Sequence, residues 1–145
     1  MDNIEVVIKI CLIILLSGLI GFDRELRHKP AGVKTHILVG LGSTIFTLVS
    51  LYFFYAFKGS NSIDPGRIAA QVVTGIGFLG AGTIIQSGGS VIGLTTAASL
   101  WSVAGIGLAV GCGMYYLSII ATGSILLVFL ITNKISNILE KKIKK

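Results

Sequence analysis

Ile68-Ala-Ala-Gln71-Val-Val-Thr74-Gly75-Ile-Gly77-Phe-Leu-Gly80-Ala-Gly82-Thr83-Ile-Ile-Gln86-Ser87 runs for 20 residues without a charge and carries four closely spaced glycines. Part of it, Gly75-Ile-Gly77-Phe-Leu-Gly80, formally matches the G-x-G-x-x-G of a dinucleotide-binding loop. That chemistry also needs a βαβ unit and an acidic residue about 20 positions downstream, whereas the next acidic residue after Asp64 is Glu140. The length instead suits a bilayer crossing, which takes about 20 apolar residues. In lipid, glycines let helix backbones approach closely, and packing replaces the hydrophobic effect as the glue. Gly75, Gly77, Gly80 and Gly82 span both faces of such a helix and are expected to be helix-packing positions, at least two of them touching neighbours.

The rest of the chain agrees. Hydrophobic residues make up 53% and charged residues 12%, about half the charge that a soluble domain carries. This is the composition of an all-α, polytopic integral membrane protein, a glycine-rich helical bundle. The net charge of +6 does not point to nucleic acid, because the basic residues cluster beside apolar spans, as they do on the cytoplasmic side of a membrane. The opening Met1-Asp-Asn-Ile-Glu5 lacks a basic start, and no small-residue cleavage site precedes Asp23, so no removable signal is expected. Cys11 and Cys112 show no metal or disulfide spacing and read as small apolar fillers.

Windows of about 20 apolar residues give five spans, at 4–22, 37–57, 68–87, 91–111 and 114–133, forming a transmembrane domain over 1–133 and a basic tail over 134–145. Glu5 and Lys9 shorten the first span but are spaced to pair. The first loop holds Arg24, Arg27, Lys29 and Lys34, and the tail holds Lys134, Lys141, Lys142, Lys144 and Lys145. With five spans these nine basic residues share one side against three elsewhere. The positive-inside rule then places the N-terminus outside and the C-terminus in the cytoplasm. The polar Gln86-Ser-Gly-Gly-Ser90 leaves a second reading open, in which spans three and four are a broken or re-entrant pair buried in protein. Beyond Asn133, Ile135, Ile138, Leu139 and Ile143 recur at helical spacing. The last helix is expected to continue past the membrane and then bend onto the anionic leaflet.

Two groups of residues are candidates for function. Between the first two spans, Asp23, Arg24, Glu25, Lys29 and Lys34 form a dense charged loop, broken from the preceding helix by Pro30 and Gly32. It serves either as a topology signal or as a recognition surface. Asp23 and Arg27 can pair at i, i+4. His28 and His36 are eight apart, not the i, i+4 spacing of a helical metal pair. Inside the membrane the candidates are Gln71, Thr95, Thr96 and Trp101. Gln71 should face inward, because it is costly against lipid, and Trp101 sits mid-span and should pack in the bundle. No Asp, Glu, Lys or Arg lies inside the last four spans, which counts against proton relays and carboxylate-lined ion sites. No nucleophile–base pair or phosphate loop is present, so neither enzymatic activity nor a cofactor is expected.

Three ordered motifs resemble those of the MgtC/SapB family. The first loop, Gly21-Phe-Asp23-Arg24-Glu25 with Lys29-Pro-Ala31-Gly32-Val-Lys34-Thr35-His36, is similar to the family's first cytoplasmic loop, as is the following Leu38-Val-Gly-Leu-Gly42. Arg67-Ile-Ala-Ala-Gln71, the glycine run 75–82 and Gly93-Leu-Thr-Thr-Ala-Ala-Ser-Leu-Trp101 look like its central signature. The resemblance covers about Gly18 to Gly113 and implies a bacterial inner (cell) membrane protein of about five transmembrane helices. The family is associated with magnesium homeostasis, growth at low magnesium and, in pathogens, survival in the host. Asp23 stands where many relatives have Glu. Many relatives also carry a cytosolic ACT-like domain, and regulation through one is not expected of a chain ending at Lys145.

Two functions fit. One is a non-transporting regulator that acts, as a homo-oligomer or on another membrane protein, through glycine-lined faces and the basic loop. The other is a divalent-cation (Mg2+) channel or carrier, since magnesium takes oxygen ligands and keeps several waters and could use an uncharged polar path.

Overall fold

The computed structural model describes residues 2–57, Asp64 and 66–143. Five helices follow one another: α1 (Asn3–Leu26), α2 (Val33–Ala56), α3 (Gly66–Gly82), α4 (Leu94–Gly111) and α5 (Tyr115–Ile143), with a short hairpin of β1 (Ile85–Ser87) and β2 (Ser90–Ile92) between α3 and α4. The chain is an all-α polytopic membrane protein. α1, α2, α4 and α5 are long and apolar enough to cross a bilayer. α3, at 17 residues, rises about 25 Å, a little less than the ~30 Å hydrocarbon core. Large apolar side chains cover the outside, among them Phe78, Tyr116 and Leu38, a surface that lipid tolerates and water does not.

Several boundaries differ from the sequence reading. α1 continues through the charged residues to Leu26, so Asp23, Arg24 and Glu25 lie on its last turns rather than in a loop. It ends in a left-handed cap: His28 takes φ 52°, its N–H bonds the Glu25 carbonyl, and the Lys29 N–H bonds the Arg24 carbonyl. Those two bonds satisfy carbonyls that the helix end leaves free. α2 then starts at Val33, four residues before the expected span.

The third difference is the end of α3. The apolar run to Ser87 predicts helix, but helix stops at Gly82 and Ile85–Ser87 pairs antiparallel with Ser90–Ile92. Gly88 and Gly89 take φ 55° and 83°, the pair of positive angles that a two-residue hairpin turn requires. The hairpin is clamped at its base by Gly93, at φ 97°, where any Cβ would overlap the Thr83 carbonyl oxygen. The polar stretch 86–90 is therefore a hairpin joining two helices.

α4 is the central post and packs against all four other helices. Its surface is apolar or small nearly all round, as a helix surrounded by others requires. Ile13, Leu16 and Ile20 of α1 meet Val103, Ile106 and Val110 of α4 and Phe129 of α5 in the core. At the outset of α1, the Lys9 ammonium pairs with Glu5 at 2.7 Å. α5 runs as one uninterrupted helix to Ile143, past the expected end of its span. Lys144 and Lys145, like Lys58, lie outside the described residues. Cys11 and Cys112 are free and exposed rather than filling the core.

Candidate functional site

Buried positions on α1 recur at Ile13, Ser17, Ile20 and Arg24, the i, i+4, i+7, i+11 stripe of one helix face. Arg24 is thus the polar end of an otherwise apolar face, and it turns into the bundle at 3% exposure. Its Nη2 donates to Thr96 Oγ1 at 3.3 Å, and its guanidinium carbon lies 4.9 Å from the centre of the Phe129 ring. Among the described residues no carboxylate pairs with it, and its Nε is buried without a hydrogen-bond partner. One arginine therefore ties α1 to both α4 and α5, through a hydroxyl and an aromatic face.

The acidic neighbours of Arg24 are occupied elsewhere. Asp23 pairs with Arg27 at 2.9 Å, as the i, i+4 spacing predicts. Glu25 reaches over the turn, and its Oε2 accepts the Val33 N–H at 2.8 Å, capping α2 with a negative charge where the helix dipole favours one. Gly32 leaves room for this: a Cβ there would stand 2.6 Å from that same oxygen.

A second buried polar link lies beside the first. His36 is fully buried. Its Nδ1 lies 2.8 Å from the Gly32 carbonyl oxygen and its Nε2 lies 3.0 Å from Ser99 Oγ. Ser99 donates in turn to the Thr96 carbonyl at 2.8 Å. Arg24, Thr96, Ser99 and His36 thus bring the end of α1 and the starts of α2 and α4 to one level of the bundle.

Below that level α2 and α4 touch backbone to backbone. A Cβ on Gly107 would stand 2.5 Å from the Gly40 carbonyl oxygen, and one on Gly111 would stand 2.5 Å from Thr47 Cβ. Thr44 Oγ1 donates across to the Gly107 carbonyl at 2.9 Å. Gly107-Leu-Ala-Val-Gly111 is the small-xxx-small spacing that lets membrane helices approach. The packing glycines are therefore Gly40, Gly107 and Gly111, together with Gly21 against Val33.

The glycine run of α3 behaves differently. Gly80 meets Ala97 of α4 at 3.5 Å, but Gly75, Gly77 and Gly82 have nothing within 4 Å of a Cβ position. The expected packing role is met within the chain by Gly80 alone. The spacing of two, three and two residues sends the four glycines to different sides of a 3.6-residue helix, so the face that meets α4 holds only one of them in contact.

The remaining candidates divide. Thr96 is buried beneath Arg24, while Thr95 opens onto a groove between α4 and α5. Trp101 is 56% exposed rather than packed in the bundle. Gln71 is exposed on a groove between α2 and α3 instead of pointing to the core. Lys29 and Lys34 are exposed, and His28 lies on the surface, apart from buried His36. Among the described residues no three His, Cys, Asp or Glu side chains are grouped to hold a metal.

The groove between α2 and α3 encloses about 610 Å3 and is walled by Leu38, Phe46, Val72 and Leu79, with Lys34 at one end. Gly80 stands at the level of Ala97, and Ser99 at that of His36, so α3 runs antiparallel to α2. Gln71 therefore lies at the groove's far end from Lys34.

A relative from Escherichia coli K12 called "Putative magnesium transporter YhiD" is 46% identical over 126 residues, covering 86% of this chain and 59% of its own. "Protein SapB" of Bacillus subtilis is 42% identical over 114 residues, covering 77% and 49%. "Protein MgtC" of Brucella abortus (strain 2308) is 42% identical over 126 residues, covering 87% and 50%. The chain spans about half to three-fifths of the length of these curated relatives. No solved structure matches it significantly. The profile of the MgtC family matches residues 10–138, and the chain belongs to that family.

Proposed function

We propose that this chain is the membrane part of a non-transporting, non-enzymatic regulator of magnesium homeostasis in a bacterial inner membrane, acting on a membrane partner or a second copy. The magnesium connection comes from the relative named a putative magnesium transporter. The absence of transport is supported by one observation above others, the guanidinium of Arg24 inside the bundle, with which no carboxylate among the described residues pairs. A permanent positive charge repels a divalent cation, and magnesium sheds its water reluctantly. Beyond Arg24 the axis is filled by Ile13, Leu16, Ile20, Val103 and Val110, which offer no wet path. The buried hydroxyls of Thr44, Thr47, Ser118 and Thr122 donate to backbone carbonyls, as structural hydroxyls in membrane helices do.

The surfaces left for a partner are the outward glycines Gly77 and Gly82, Trp101, and the basic end carrying Lys29. In this reading the 27–32 turn faces the cytoplasm and the N-terminus lies outside, following the asymmetry of basic residues. Purified protein in liposomes loaded with a magnesium-sensitive dye tests the reading. Magnesium influx no faster than in protein-free liposomes is expected. Saturable influx that scales with protein content overturns it in favour of a channel or carrier.

A further inference from the structure

We propose that the groove between α2 and α3 is a binding seat for one anionic glycerophospholipid, drawn from the leaflet on the side of the 27–32 turn. The inference does not depend on whether the protein transports magnesium. It rests on the groove's shape, its charge and its depth.

The groove is open along its floor because two facing positions lack side chains. A Cβ on Gly42 or on Gly75 would meet nothing within 4 Å, although both line the space between the helices. The walls are apolar, from Leu38 and Phe46 on α2 to Val72 and Leu79 on α3. Such a trough suits an acyl chain, which needs contact along its length and no hydrogen bond.

The charge sits at one end only. Lys34 and Thr35 line the groove at the start of α2, beside a turn that also holds Lys29. The acidic residues at this end are both engaged, Asp23 with Arg27 and Glu25 with the Val33 N–H. An ammonium at the mouth of an apolar trough complements a phosphate headgroup attached to an acyl chain, and each lysine near an anionic lipid surface contributes on the order of 1 kcal/mol.

Depth distinguishes a lipid from a helix as the occupant. From Lys34 to Phe46 the groove follows α2 for about 18 Å, close to the thickness of one leaflet, half of the roughly 30 Å core. A docked transmembrane helix would call for a groove through both leaflets. Gln71, at the deep end, lies beyond the reach of a headgroup held at Lys34.

The test uses the purified full chain in detergent, with phosphatidylglycerol and phosphatidylcholine as probes, read by native mass spectrometry and by thermal stability. Wild type should retain one phosphatidylglycerol and gain stability from it over phosphatidylcholine. Lys34→Gln should weaken retention about five-fold, the equivalent of one lost lysine–anion contact. Gly75→Leu fills the trough at a position with no close neighbour, so the fold should survive while lipid retention is lost. Gln71→Leu should leave retention unchanged. The proposal is overturned if the two lipids act alike, or if wild type and Gly75→Leu retain phosphatidylglycerol equally. It is also overturned if Gln71→Leu and Gly75→Leu change the oligomeric state while Lys34→Gln changes nothing, since that pattern assigns the groove to a protein helix.

Discussion

Replacing Gly107 by alanine tests whether the α2–α4 contact holds the bundle together. The new methyl group would stand 2.5 Å from the Gly40 carbonyl oxygen and 2.7 Å from Ser43 Cβ. Comfortable contacts between such atoms lie at about 3.5–4.0 Å, so the helices must part by about 1 Å. The neighbours cannot swing aside, because one is backbone and the other a Cβ fixed to it. Overpacking of this kind costs about 1–3 kcal/mol. Separation also strains the hydrogen bond from Thr44 to the Gly107 carbonyl, at 2.9 Å, worth about 0.6 kcal/mol in membrane proteins. Against this, alanine gains up to ~1 kcal/mol of helix propensity over glycine. The net loss is about 0.5–2.5 kcal/mol. Gly75→Ala is the internal control: with nothing within 4 Å, it keeps only the propensity gain and should be neutral or slightly stabilising. Titrating both purified variants with denaturing detergent, followed by circular dichroism, should separate them by roughly 1.5–3.5 kcal/mol. Equal stability of the two variants refutes the assignment of the close helix contact to Gly107.

Removing the cap on α2 with Glu25→Ala should cost about 1 kcal/mol in the same unfolding assay. Gly32→Ala should cost a similar amount by displacing that carboxylate, and the double variant should show less than the sum; full additivity would show that Glu25 and Gly32 act separately. A double-mutant cycle between Arg24→Gln and Phe129→Leu should return a coupling of about 1–2 kcal/mol, and no coupling would mean that the ring does not hold the guanidinium. A cysteine placed at Lys29 should react with an impermeant maleimide in inside-out vesicles, whereas one at Arg67 should react in intact cells. The reverse pattern inverts the proposed orientation.

Much of the fold could be read from the chain because the bilayer imposes few choices. Uncharged runs of about 20 residues become helices, since lipid offers no other partner for the backbone. The end of α3 escaped this rule. Hydropathy treats Ile84, Ile85, Val91 and Ile92 alike, whereas the path there is set by the positive φ angles of Gly88, Gly89 and Gly93. The Asp23–Arg27 and Glu5–Lys9 pairs were visible because i, i+4 spacing alone fixes them. The role of Arg24 was not. Charge density assigned it to a loop, yet its phase with Ile13, Ser17 and Ile20 puts it on the buried face, a signal that periodicity carries and composition hides. The glycines show the same contrast. The run Gly75 to Gly82 is denser, but its spacing scatters it around the helix. Gly107 and Gly111, four apart and on the face that meets Gly40 and Thr47, make a continuous flat strip. In a solvent that gives helices no hydrophobic reason to associate, only a strip held in phase with its neighbour brings two backbones together. That is why the less crowded pair of glycines sets the architecture.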